Sequence, residues 1–139
     1  MLQIDPYFFV WQAGIVKGAL IQECSDSNDE LTIAVNTMAH IWMTKAFLPG
    51  MEQRGRGHFC QISSFAAYVA AAGMVSYAAS KYGARGYAEG LAAELRHRKS
   101  PVRVTCVCPS HIETELFKGF KVTGASLFSL FFIKQTKTD

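Results

Sequence analysis

The stretch SYAASK, Ser76 to Lys81, sets a tyrosine and a lysine four residues apart, and what surrounds it decides the fold. Residues at i and i+4 share a helix face, so in a helix Tyr77 and Lys81 project together. A helix is what the flanking sequence predicts. Gly73 precedes it, Ser76 is a suitable N-cap, and Ala84, Tyr87, Ala88, Leu91, Ala92 and Leu95 keep the i, i+3, i+4, i+7 spacing of one buried face, which gives a helix from about Tyr77 to Leu95. Alanines and glycines along it let a sheet or a second helix approach closely, each interior glycine costing about 1 kcal/mol.

Working outward, HFCQIS (58–63) reads as a strand ending at the pair Ser63 and Ser64, and VRVTCVC (102–108) as a strand closed by Pro109 and Ser110. The second is β-branched and nearly continuous in apolar residues, the pattern of a parallel strand covered on both faces. YFFV (7–10) is a further short buried strand, closed by Ala13 and Gly14. A loop rich in Ser, Asp and Asn follows over 15–29. From Asp29 a helix is predicted whose apolar residues, among them Leu31, Ile33, Met38, Ile41, Trp42 and Phe47, spread around the wheel, as in a helix buried on more than one side. Pro49 and Gly50 should end it, and RGRG (54–57) is a turn. Strand, helix, strand, helix, strand calls for right-handed crossovers and a parallel sheet, with ligands beyond the carboxyl ends of the strands.

The bulk properties agree with a single α/β domain. Of 139 residues half are hydrophobic and 18% are charged, against roughly 25% in ordinary globular chains, so more than the usual share of surface is meant for burial. A net charge of +3 with scattered basic residues gives no footprint for nucleic acid. Cys24, Cys60, Cys106 and Cys108 lack CxxC spacing and a companion histidine, which points to reduced thiols and no metal. The first eleven residues do not read as a signal peptide, and no apolar run reaches the ~20 residues of a membrane span. An intracellular chain is expected.

The chemistry follows from what the sheet edge collects. A phenol with an ordinary pKa of about 10 exchanges protons poorly at neutral pH, and a neighbouring ammonium favours the phenolate and lowers that value. Tyr77 beside Lys81 is therefore a candidate acid/base pair. A serine hydroxyl at the same edge can hold a carbonyl or alkoxide oxygen in line with the phenol, and Ser64, at the strand's end, is the better of the two.

With these residues in place the sequence resembles the short-chain dehydrogenase/reductase family. Tyr77-Ala78-Ala79-Ser80-Lys81 is similar to its YxxxK motif, Ile62-Ser63-Ser64 to its catalytic-serine strand end, Val35-Asn36 to its helix asparagine and Ala13-Gly14 to the end of its NNAG segment. Cys108-Pro109-Ser110-His111-Ile112-Glu113-Thr114 resembles its cofactor turn. VNTMAHIWMTKAFLP and CPSHIETELFKGF further resemble the branch acting on retinoids, steroids and other lipid-like alcohols, and the likeness covers about residues 12–120.

The resemblance implies an NAD- or NADP-dependent oxidoreductase interconverting an alcohol and a carbonyl. Tyr77 would exchange the proton, Lys81 would lower its pKa and hold the nicotinamide ribose, Ser64 would orient the substrate oxygen, and Asn36 would anchor a water leading from Lys81 to solvent. Ala13, Gly14, Tyr77, Lys81, Pro109, Ile112 and Thr114 would contact the cofactor, whose nicotinamide carries the hydride. A homodimer, or pairing with a related dehydrogenase, is implied too, as is a cytoplasmic site or a peripheral one at the endoplasmic reticulum or lipid droplets.

Two departures bear on that expectation. No stretch resembles TGxxxGxG, the glycine-rich turn for the pyrophosphate, and Trp11 and Gln12 stand where two asparagines are expected. After Phe120 the sequence diverges into KVTGASLFSLFFIKQTKTD, whose LFSLFFI (127–133) suits a buried strand, an aggregation-prone segment or a shallow membrane contact. The expected fold is thus a partial doubly wound, Rossmann-like parallel sheet: the catalytic half, over 1–139, without the glycine-rich unit and shortened at both ends. The alternative reading is an inactive form that pairs with a full-length relative.

Overall fold

The computed structural model describes residues 7–110 and 132–134. Strands β1 (Phe8–Trp11), β2 (Gly57–Ile62) and β3 (Val102–Cys108) lie parallel in chain order, and β4 (Phe132–Lys134) pairs antiparallel with β3. Phe9, Phe59 and Val104 stand abreast in one row, and Trp11, Gln61 and Cys106 in another. The connection from β1 to β2 carries α1 (Asp26–Ile33), a π-helical turn (Ala34–Met38) and α2 (Ala39–Gln53), and the one from β2 to β3 carries a 3-10 turn (Phe65–Ala67) and α3 (Val75–His97). This is the parallel α/β order expected from the sequence.

Strands added in one direction by right-handed crossovers receive their helices on a single face. The core obeys this rule: Met51 of α2 and Leu91 and Leu95 of α3 pack with Phe59, Val102 and Val104. β3 accordingly alternates, with Val102, Val104, Cys106 and Cys108 buried, Arg103 exposed, and Thr105 and Val107 between. Cover on both faces was expected for this strand, and among the described residues only one face has it. β1 departs in the same way. It lies at the outer position of the described sheet, with Phe8 and Val10 exposed rather than buried.

The long helix differs from expectation at both ends. Ser25 caps it, its hydroxyl accepting from the Asn28 amide, and Asp26 and Asp29 complement the N-terminal dipole, so it begins before Asp29. At the other end Pro49 does not stop it, and α2 continues to Gln53. Proline removes one helix hydrogen bond and crowds the preceding turn, and the complete burial of Met51 two residues later offsets that cost. Gly57 makes that burial possible, since a Cβ there would lie 2.6 Å from the Met51 side chain. Nor is the helix buried all round: Thr32, Asn36, His40, Thr44 and Met51 face inward while Leu31, Ile33 and Trp42 face out.

α3 starts at Val75, one residue before the expected cap, and Ser76 instead donates its hydroxyl proton to Asp29 of α1, tying the two helix starts together. The apolar face read from the sequence is in place, with Ala84, Ala88, Leu91, Ala92 and Leu95 all buried. Of LFSLFFI, only Phe132 and Ile133 fall in a described element, at the start of β4. The rest of that run lies outside the described residues.

Candidate active site

The carboxyl ends of β2 and β3 and the first turns of α3 meet at one edge. Two backbone bonds lock the strand ends together, from the Ser63 amide to the Val107 carbonyl (2.7 Å) and from the Phe65 amide to the Pro109 carbonyl (2.8 Å). Ser63 is buried and its hydroxyl donates to the Lys81 carbonyl at 3.0 Å, which fixes the strand end against α3. Ser64 takes the other role. Its extended backbone turns the chain into the 3-10 turn, its hydroxyl accepts from the Ala66 amide at 3.1 Å, and the same hydroxyl is hydrogen-bonded to the Tyr77 phenol.

Tyr77 is 2% exposed. Burial pushes its pKa above the usual phenol value, and the bond from Ser64 opposes that rise. The lowering expected from Lys81 is not found in this structure: burial sets the direction of the shift, and the group opposing it is Ser64. Lys81 lies with its Nζ 5.6 Å from the centre of the Tyr77 ring, 4% exposed, and reaches the Ile62 carbonyl at 3.4 Å. Burial lowers its pKa to about 8, with the thiols of Cys106 and Cys108 pulling the other way. At neutral pH the pair is therefore a protonated phenol beside a cation that loses its proton readily.

The end of β1 closes the site from the opposite side. A Cβ on Gly14 would stand 3.3 Å from Lys81 Nζ and 3.5 Å from Asn36 Oδ1, so the backbone here approaches both side chains closely. Asn36 is fully buried in the π-helical turn, a device often found at functional sites. Its Oδ1 accepts from the Ile15 amide at 2.9 Å, and its Nδ2 donates to the Ile15 carbonyl at 2.8 Å and to Ser80 Oγ at 2.9 Å. Ser80 in turn donates to the Tyr77 carbonyl at 2.7 Å. Asn36 thus binds the segment after β1 to the helix carrying Tyr77 and Lys81.

Asn36, Ser64, Tyr77, Lys81 and Gly14 form one contiguous cluster. Ala13 is exposed beside it and Pro109 contributes its carbonyl to the strand-end lock. Ile112 and Thr114 lie outside the described residues. Sequence reasoning missed Ser63 and Ser80 as the groups that hold the helix in place; Ser80, at i+3 from Tyr77, had a signal in its shared helix face. It also treated the cysteines as isolated, although Cys106 and Cys108 stand at i and i+2 of a strand and so on one face. Their sulfurs are 3.8 Å apart, and the contact between them favours the thiolate on one sulfur while holding the proton on the other.

A parallel sheet whose carboxyl edge gathers serine, tyrosine, lysine and asparagine is an α/β scaffold with a candidate site at its edge, and comparison with known proteins places it. The family model described as short chain dehydrogenase matches residues 7–123, and the chain belongs to that family. It is 39% identical over 119 residues to retinol dehydrogenase 10 of Xenopus tropicalis, covering 85% of this chain and 35% of the relative, and 40% identical over 111 residues to retinol dehydrogenase 10 of Homo sapiens, covering 79% and 33%. The chain thus spans about a third of the length of these relatives. Among solved structures, a short-chain dehydrogenase from Streptomyces avermitilis superposes with a TM-score of 0.71 at 29% identity over 79% of this chain and 40% of that one. A metagenomic short-chain oxidoreductase in complex with NADP gives 0.68 at 34% identity, over 75% and 47%.

Proposed function

We propose that the chain carries the proton-transfer half of an NAD(P)-dependent oxidoreductase that interconverts an alcohol and a carbonyl on a lipid-like, retinoid or steroid substrate. The observation that carries this reading is the buried Tyr77 phenol, hydrogen-bonded to Ser64 and set beside the Lys81 ammonium. In the reducing direction Tyr77 gives its proton to the substrate oxygen, which Ser64 holds. Burial keeps the proton on the phenol at neutral pH, and the nearby Lys81 ammonium favours its transfer by stabilising the phenolate left behind. In the oxidising direction the same atoms run in reverse, Tyr77 taking the hydroxyl proton.

A bound nicotinamide would supply or accept the hydride. The close backbone approach at Gly14 fits a ribose lying against Lys81, because a side chain there would crowd the ammonium. Ala13, Gly14, Tyr77, Lys81, Pro109, Ile112 and Thr114 are the residues proposed to hold the cofactor, and Asn36 positions the wall they share. The lipid-like substrate class rests on the retinol dehydrogenases to which the chain is similar.

On the same reading a second copy, or a related dehydrogenase, covers Leu31, Ile33, Trp42, Val75 and Tyr82, large apolar groups left exposed on the helices. Among the described residues no helix is long and apolar enough to cross a membrane. We place the protein in the cytoplasm, or peripherally at the endoplasmic reticulum or lipid droplets.

Titrating the chain with NADH and NADPH while following Trp11 and Trp42 fluorescence tests the cofactor part. Saturation in the micromolar range is expected for one nucleotide, and no change up to millimolar concentration overturns cofactor binding by this chain. Turnover of retinol and of long-chain alcohols by the cofactor-loaded protein tests the substrate class.

A further inference from the structure

Trp11, which stands where the family pattern has an asparagine, lines a pocket of its own and has its indole nitrogen buried. The pocket lies between β1, β2 and α2 and is lined by Phe9, Trp11, His40, Met43, Thr44 and Gln61. Its polar atoms are buried and unpartnered: Trp11 Nε1, both ring nitrogens of His40, and Gln61 Oε1. His40 is 2% exposed and Gln61 3%. Each such group left without a hydrogen bond costs about 1–3 kcal/mol, so three in one place demand a common partner.

We propose that this pocket is a permanent binding site for a single water molecule shared by Trp11, His40 and Gln61. The donor and acceptor counts close on one water. The indole can only donate, the Gln61 oxygen can only accept, and a neutral imidazole offers one of each. A water accepting from Trp11 Nε1, donating to Gln61 Oε1 and bonding one His40 nitrogen makes the three bonds characteristic of buried waters. The room matches, with about 10 Å³ open to the centre of a water-sized molecule, at the lower limit for holding one. His40 suits the neutral role: burial and the nearby Lys81 charge depress its pKa to about 4. The Asn36 carbonyl, one turn back, faces the imidazole without completing a bond.

Such a water pins Trp11 to α2 and to the adjacent strand, three residues before Gly14 reaches the Lys81 ammonium. It therefore acts as a positioning element for the wall of the site, and it explains why an indole is accommodated at this place.

Water-selective cross-relaxation on the ¹⁵N-labelled chain tests the site without reference to activity. The Trp11 indole N–H is expected to show a cross-peak to water with the sign of a long-lived complex, and Gln61→Leu should abolish it while the remaining backbone amides keep their shifts. A resolved indole resonance without that cross-peak overturns the proposal, as does a high-resolution crystal structure in which Trp11 Nε1 donates directly to Gln61 or His40. Should Gln61→Leu not fold, the wild-type cross-peak and the crystal structure decide alone.

Discussion

Asn36 Nδ2 donates to Ser80 Oγ at 2.9 Å, joining the π-helical turn to the middle of the YxxxK motif across 44 residues of sequence. The same amide also holds both backbone groups of Ile15. A residue resembling a proton-relay asparagine is thus, in its side chain, a three-way clamp. Replacing it with alanine strands the N–H and C=O of Ile15. Asn36→Ala should therefore lose about 2–4 kcal/mol of stability in denaturant unfolding. A loss below about 1 kcal/mol would falsify the clamp.

Lys81 should cost stability where it serves chemistry. Its pKa falls from 10.5 to about 8 on folding, so between those values the unfolded chain binds more protons and stability rises with pH. Below pH 8 the full penalty applies, on the order of 3 kcal/mol. Lys81→Met should accordingly be more stable than the wild type at pH 7, by roughly 2–3 kcal/mol, while losing turnover. The gap should close as pH rises from 8 towards 10. Parallel urea curves for both proteins at pH 7 and 9.5 check this, and a gap that does not move with pH removes burial of the cation as its cause.

Much of this arrangement was legible in the sequence because it is local. The i, i+4 pairing of Tyr77 and Lys81, the apolar face of α3, and the strand ends at Ser63 and Cys108 each follow from a period of 3.6 or 2 within one element. What escaped depends on contacts between elements. Ser76 is claimed by Asp29 rather than by its own helix start, and Pro49 sits inside a helix because Met51 finds a core. The cover on β3 was misread because composition does not say on which face a crossover lands; strand order does. The Tyr77 pKa was misjudged for a related reason, since charge proximity can be guessed from spacing but desolvation cannot.

His40 gives a second pH signature, of a different kind. Its pKa falls from 6.5 to about 4 on folding, so the unfolded chain gains the proton first as the solution is acidified. Stability then drops as pH falls from about 6.5 to 4, by about 3 kcal/mol once both pKa values are passed. Following the His40 Cε1 proton by NMR should show no titration between pH 8 and 5 in the folded protein. A midpoint near 6.5 would mean the imidazole is solvated.

Tyr77→Phe separates chemistry from packing. The ring is buried and its methine edge remains in phenylalanine, so the fold should lose no more than about 1 kcal/mol, mostly the bond to Ser64. Cofactor affinity should stay within about threefold, because Lys81 and the Gly14 backbone are untouched. Turnover of the cofactor-loaded enzyme should fall by about 10²–10⁴, the range a positioned acid/base contributes. Ser64→Ala supplies the control: it removes the other hydroxyl at the substrate oxygen while leaving the proton on Tyr77, so its residual rate should exceed that of Tyr77→Phe. If instead Ser64→Ala is the slower variant, proton exchange belongs to the serine, and Tyr77 is demoted to a wall of the site.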